Sequence, residues 1–327
     1  TSRMYLKTNN KGVVLISVLL IILLLSSVAV VIGNNYLISL KRATYLEFQS
    51  TSLNVFKNLE SLALKKIDIE LKFNSNKLSR NNPLLNNDLY FETDGGIVTA
   101  KISDNSNCFN INALVIKNKK NYIENKKSID AFRKFMRFQS VDNNLIEEMI
   151  DQVIDWIDLD SDPRAYGLED YFYSGPLNNP KEYTGRRLFF SVDELKGIPA
   201  FRKINWQIIK NNFCSINTNS ELTLNLNTLN LDDSYLLSSF FPNISLSEAE
   251  YIIDTIPDEG IENFNSLKSL HPMKDFEAQY GNIKFSSSTF DLTTLITNDN
   301  FSVLSISKII HDKNKNSYII SRTYNGI

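Results

Sequence analysis

No charged residue falls between Lys11 and Lys41, and Val13 to Gly33 is a run of 21 positions made mostly of Val, Ile and Leu. At about 1.5 Å rise per residue such a run crosses a hydrocarbon core of about 30 Å. The apolar part of a secretory signal is shorter, about 7–15 residues, and ends in a small-x-small cleavage site. Here the run is longer and no Ala-x-Ala pattern follows, so a retained transmembrane helix is expected over 13–33. From Tyr36 to Lys72 there is neither Gly nor Pro, and Leu46, Leu53, Phe56, Leu59, Ala63 and Ile67 recur at helical spacing. One unbroken helix of about 55–60 residues is predicted, apolar in its first half and amphipathic in its second. Strict heptads are not sustained, which disfavours a coiled-coil stalk. The Asn- and Ser-rich stretch 74–87, with Pro83, reads as a loop.

The period then changes to two. In Asp88–Asp104, Asp94-Gly95-Gly96 separates two short β-prone runs, the chemistry of a hairpin. Ser286–Tyr324 reads as three short strands punctuated at 298–300 and 312–316. The sheet is therefore split between the two ends of the globular part, and residues 113–280 between them are read as an inserted, mostly α-helical domain. Ser128–Arg137 and Asp142–Leu159 are predicted helices, with Phe132, Phe135, Ile146, Met149, Ile150, Val153 and Ile157 on the buried face. Ser191-x-x-Glu194 and Ser245-x-x-Glu248 have the form of capping boxes. The fold class is α+β: a long N-terminal helix, an antiparallel sheet and a large helical insertion.

Charge narrows the chemistry. Glu147 to Asp170 holds nine acids against one base, Arg164. Asp158, Asp160 and Asp162 alternate at a helix end, Pro163 stops the helix, Gly167 permits a turn, and Glu169 and Asp170 come back towards the first group. Hard oxygen donors at such spacing suit Ca²⁺, which takes about 6–8 oxygens in flexible geometry. The spacing is not that of an EF-hand, and a solvated acidic loop is the other reading of the same residues. Paired carboxylates also serve glycosidases, but nothing marks a sugar cleft. Residues 222–267 are laid out like a helix-hairpin-helix pair; the surrounding stretch, Glu221 to Glu277, has eleven acids and two bases, which repels phosphate and makes the hairpin a packing unit. The net charge of -2 argues against a general polyanion binder. Two cysteines and two histidines exclude a Cys- or His-rich metal centre, and neither His271 nor His311 sits in a catalytic motif.

A basic leader containing Arg3, Lys7 and Lys11 and ending in Lys11-Gly12, followed at once by the apolar run, resembles the type IV prepilin leader. That resemblance implies cleavage between Gly12 and Val13, with the apolar helix kept. Most relatives of that kind carry Glu at the fifth mature position; here it is Ser17. With "CFNINAL" (108–114), "IDWIDLDSDPRAYGLEDYFY" (154–173), "ELKGI" (194–198) and "LNLNTL" (224–229), the chain resembles the minor pseudopilin K family of the general (type II) secretion pathway over nearly its whole length. The resemblance implies a pilin-like fold of leader (1–12), transmembrane helix (13–33), stem and first strands (34–112), insertion (113–280) and terminal strands (281–327). It implies one or two Ca²⁺ ions held among Asp158, Asp160, Asp162, Glu169 and Asp170, with Asp155 a weaker candidate. It implies a non-enzymatic subunit at the tip of a pseudopilus, processed and methylated by a prepilin peptidase and partnered by minor pseudopilins I and J, with no nucleic acid. The rival from another class is a minor pilin of a type IV pilus or DNA-uptake system. The basic leader places the N-terminus in the cytoplasm, the helix in the inner membrane as a single pass and the rest in the periplasm. In that oxidising compartment Cys108 and Cys214 are expected to form a disulfide.

Overall fold

The computed structural model describes residues 11–326 apart from 94, 178, 217–220, 273 and 313–315. The expected leader lies outside the described residues, save that positions 11 and 12 open the first helix. That helix, α1 (Lys11–Phe73), runs 63 residues without a break. Residues 13–44 of it are exposed, and its most apolar window has a mean hydropathy of 3.2; it is the one helix among the described residues long and apolar enough to cross a membrane. Ser17 does not leave a stranded hydroxyl there, because its Oγ donates to the Val14 carbonyl at 2.9 Å.

From Phe48 onwards α1 packs against a sheet. Phe48, Phe56, Leu59, Ala63, Ile67 and Leu71 are buried, whereas Leu46, expected in that stripe, is 55% exposed. The stripe begins where the sheet begins, so its register is set by what the helix lies on. After a one-turn helix α2 (Pro83–Asn86), β1 (Leu89–Thr93) and β2 (Gly96–Asp104) form the predicted hairpin. The chain then leaves the sheet at Asp104 and re-enters it at Thr289.

Between these points the chain builds a second core. It contains β3 (Phe109–Asn110), a hairpin β4 (Val115–Asn118) and β5 (Asn121–Glu124), and the helices α3 (Lys126–Phe138) and α4 (Asn143–Ile157). There follow α5 (Asp170–Tyr173), α6 (Trp206–Asn212), β6 (Phe213–Cys214), β7 (Thr223–Asn225), α7 (Ser234–Ser239), α8 (Leu246–Thr255), α9 (Phe264–Leu270) and β8 (Asn282–Lys284). The apolar face expected on α3 and α4 is buried in full. Both capping boxes form, with the Ser191 and Ser245 backbone N–H groups donating to Glu194 and Glu248 at 3.0 and 2.8 Å. Short parallel ladders, β3 with β6 and β7 with β8, bind distant parts of this unit together. The last three strands, β9 (Thr289–Thr297), β10 (Ser302–Asp312) and β11 (Asn316–Asn325), complete an all-antiparallel sheet in the order β1-β2-β9-β10-β11.

Buried asparagines in two of the quoted motifs stitch the second core. Asn112 donates to the Phe189 and Ile216 carbonyls at 3.0 and 3.2 Å and accepts from Phe189 N–H at 2.8 Å. Asn227 does the same for Ile261 and Phe285, all three bonds at 2.8 Å. A primary amide offers both donors and acceptors, so each acts as a piece of backbone where no strand can reach. Gly260, at φ +73°, lies against Asn227; a Cβ there would come within 2.8 Å of the amide carbon.

Candidate metal centre

The site forms where α4 ends. Its last turn has no basic residue, and carboxylates at the negative end of a helix are unfavourable unless a cation offsets them. Asp158 is the C-cap, and its N–H donates to the Ile154 carbonyl at 2.9 Å. Asp155, one turn earlier, is fully buried and organises the loop: Oδ2 accepts from Arg164 N–H at 3.1 Å, while Oδ1 has no hydrogen-bond partner and lies 3.9 Å from the guanidinium. The Tyr166 N–H reaches Asp151 at 3.1 Å. Gly167 closes on this carboxylate so tightly that a Cβ would sit 1.7 Å from Asp155 Oδ2. The loop thereby returns Glu169 to Asp158.

Asp158, Asp160 and Glu169 each offer a carboxylate oxygen within 4.8 Å of the others. Asp158 and Glu169 are buried and Asp160 is exposed. Asp158 Oδ1 and both Glu169 oxygens have no hydrogen-bond partner, although Glu169 stands at the N-cap of α5 where a side-chain cap would be the usual use. Burial first, then the neighbouring carboxylates Asp155, Asp158 and Asp160, pushes Asp158 and Glu169 up to about 7. Asp155 rises to about 6, mainly by burial, with the Arg164 contacts holding it back. Three clustered carboxylates, two of them buried and under-bonded, are a poor arrangement for anions alone and a good one for a hard cation.

The other two sequence candidates are placed differently. Asp170 Oδ1 accepts from the Thr184 N–H and Oγ1 at 2.8 and 2.7 Å, and its Oδ2 from Arg186 at 2.9 Å. It ties the 184–186 strand of loop to α5. Asp162 is exposed, and its N–H donates to Asp160 Oδ1 at 3.2 Å. Neither belongs to the group of three. Cys108 and Cys214 are joined in a disulfide with 5.6 Å between Cα atoms. It packs with Ile216 against Ile310 of β10, at the seam between the two cores.

Fold and site define a class: a pilin-like subunit whose sheet is interrupted by a large domain with an acidic centre. Residues 107–215 match the family model described as type II secretion system (T2SS), protein K. A type II secretion system protein K of Pectobacterium carotovorum subsp. carotovorum is 28% identical over 183 residues, 55% of each chain. That of Aeromonas hydrophila is 24% identical over 268 residues, 80% of each chain. The alignments span about half the length of the first curated relatives. In fold the chain is similar to a chain of the crystal structure of the GspK-GspI-GspJ complex from the enterotoxigenic Escherichia coli type 2 secretion system, with a TM-score of 0.73 at 18% identity, covering 87% of this chain and 99% of that one. The chain is thus similar to type II secretion system protein K in sequence and in fold.

Proposed function

We propose that the chain is a non-enzymatic minor pseudopilin of a type II secretion system, seated at the tip of the pseudopilus with minor pseudopilins I and J. The observation that carries this reading is topological. Strands from both ends of the globular part form one sheet on the stem helix, and residues 105–288 grow out of that sheet as a separate core. A body of that size beside a stem helix obstructs the addition of a further subunit above it, which suits a capping position and not a repeating one. Helix α1 anchors the subunit in the inner membrane with its N-terminus cytoplasmic, and a prepilin peptidase cuts between Gly12 and Val13.

In this reading Asp158, Asp160 and Glu169 hold Ca²⁺. The ion supplies the positive charge that the end of α4 and its buried carboxylates lack, and so fixes the 158–170 loop; its role is structural. The test is co-purification of the detergent-solubilised chain with minor pseudopilins I and J, with calcium and with a chelator. A complex is expected, with its yield and the chain's thermal midpoint both falling in chelator. Failure to bind I and J would overturn the tip assignment. Binding and stability untouched by chelator would overturn the calcium assignment alone.

A further inference from the structure

The β4–β5 hairpin has little to hold it by itself. Its strands are four residues each and pair with no other strand among the described residues. A two-stranded ribbon of that size is marginally stable in water. A two-residue turn asks for Asn or Gly at its centre. Here Lys119 and Lys120 stand there, with Lys119 at φ 55°, where a Lys costs more than either. The cross-strand partners Ile116 and Ile123 are 42% and 40% exposed, so their pairing buries little. The buried Val115 seats the base of the hairpin, and Tyr122 packs half-buried against the second core.

Strand β5 is held at both of its ends by the acidic loop. At its start the Leu159 N–H donates to Asn121 Oδ1 at 3.1 Å, and at its end Arg164 donates to Glu124 Oε2 at 3.1 Å. Asn121 Oδ1 also accepts from the Tyr122 N–H at 2.8 Å, so one oxygen joins strand and loop. Leu159 stands between Asp158 and Asp160, two of the three clustered carboxylates. The direction of its N–H is therefore set by how those two neighbours are placed. Arg164 is fixed on its other side by Asp155, which takes its backbone N–H at 3.1 Å and lies 3.9 Å from its guanidinium.

We infer that the metal centre governs this hairpin: a cation on Asp158, Asp160 and Glu169 fixes the loop that grips β5 at Asn121 and Glu124, and its loss releases the hairpin. The inference rests on the calcium reading above and names the segment that responds to the ion. Without a cation the three carboxylates repel one another, and the Leu159 N–H moves with the pair that flanks it. The weak turn and the exposed isoleucine pair leave the hairpin few contacts of its own to replace that grip. Coupling of this kind is reciprocal: docking of the hairpin raises calcium affinity as calcium favours docking.

The test uses the full chain in a non-ionic detergent, followed by hydrogen exchange and by calorimetric titration with calcium. Removing calcium with a chelator should speed exchange in residues 115–124 by about tenfold or more, with α3 and β9 unchanged. Asn121→Ala removes an acceptor without changing charge or touching the three carboxylates. It should lose most of the calcium-dependent protection in 115–124 and bind calcium several-fold more weakly. Asn121→Asp keeps an acceptor oxygen and should restore the protection. Calcium binding with no change in hairpin exchange, exchange rising equally through α3 and α8, or full calcium-dependent protection in Asn121→Ala would overturn the inference and leave the calcium reading standing. Absence of saturable calcium binding would overturn both.

Discussion

At the residue scale the acidic loop separates carboxylates that look alike in sequence. Asp158 and Asp170 both lie in the motif, but one has a bare buried oxygen and the other has three donors. Asp158→Asn should lower calcium affinity tenfold or more with a modest change in calcium-free stability, since it removes charge from an under-bonded group. Asp170→Asn should destabilise the chain by about 1–3 kcal/mol, the cost of donors left without a charged acceptor, with calcium stoichiometry retained. Isothermal titration with calcium and chemical denaturation in chelator check the pair; reversed outcomes would exchange the two roles. Gly167→Ala should lower both affinity and stability, because the added methyl meets the Asp155 carboxylate, which cannot move without giving up the Arg164 N–H. The acids were legible in the sequence as a group, and the donors facing each were not. Spacing reports which residues share a loop, whereas Thr184 and Arg186, which claim Asp170, lie 14 and 16 residues further on. Asp155, the weaker ligand candidate, is likewise met by a donor that spacing does not report, the Arg164 N–H nine residues on.

At the element scale, periodic patterns carried the fold and short elements did not. The stem helix, α3, α4, the β1–β2 hairpin and the three terminal strands each repeat an apolar period for long enough to be read. The β4–β5 hairpin was not read, because its lysine-rich sequence has no turn Gly and its strands are four residues each. The two-residue ladder of β3 and β6 has no period at all. Contacts between elements are likewise unreadable locally. Glu60 of α1 is buried and accepts from Ser307 of β10 at 2.6 Å and from two Arg322 nitrogens of β11 at 2.7 and 3.0 Å. The edge strand β11 has no fully buried side chain among its described residues, and this clasp holds it on the stem together with the Ser317 N–H bond to Asp68 at 2.7 Å and the stacking of Tyr324 on Phe56. Arg322→Ala should cost on the order of 2–3 kcal/mol, since it leaves Glu60 buried with only one donor. Hydrogen exchange should show faster protection loss in β11 than in β9; a uniform change would assign the effect elsewhere. A second ionic contact sets a pH limit. Lys274, with the Ser245 N–H and hydroxyl, holds Glu248 at about 2, below its ordinary 4.5. The folded state binds this proton less readily than the unfolded one, so its contribution is present above pH 4.5 and disappears as pH falls towards 2. Glu248→Gln should flatten the acid limb of the stability profile over that window, and an unchanged limb would assign it to other carboxylates.

At the scale of the whole molecule, two hydrophobic cores meet within one chain. Their seam is held by polar and covalent ties. Asp104, where the chain leaves the sheet, accepts from Ser106 N–H at 2.9 Å and from the Thr228 and Ser287 hydroxyls, both at 2.5 Å, which come from later segments of the chain. Beside it the Cys108–Cys214 bond closes a loop of 106 residues. Loop-closure entropy alone assigns such a crosslink about 4–5 kcal/mol, more than any single hydrogen-bonded tie in the seam at about 1–3 kcal/mol. Breaking it should therefore matter more than removing Asp104, provided the native packing survives. The Cys108→Ser/Cys214→Ser variant is expected to lose about 4 kcal/mol in urea denaturation, and Asp104→Asn about half as much. The two readouts differ in kind as well as in size. The serine variant acts through the unfolded chain and should keep native calcium affinity and native binding to I and J at low temperature. Asp104→Asn acts on the folded seam and should loosen the orientation of the second core, seen as faster hydrogen exchange at Thr228 and Ser287 without unfolding of α4. Equal losses in both variants, with exchange rising throughout, would mean that the two cores unfold as a single unit and that the seam has no separate existence.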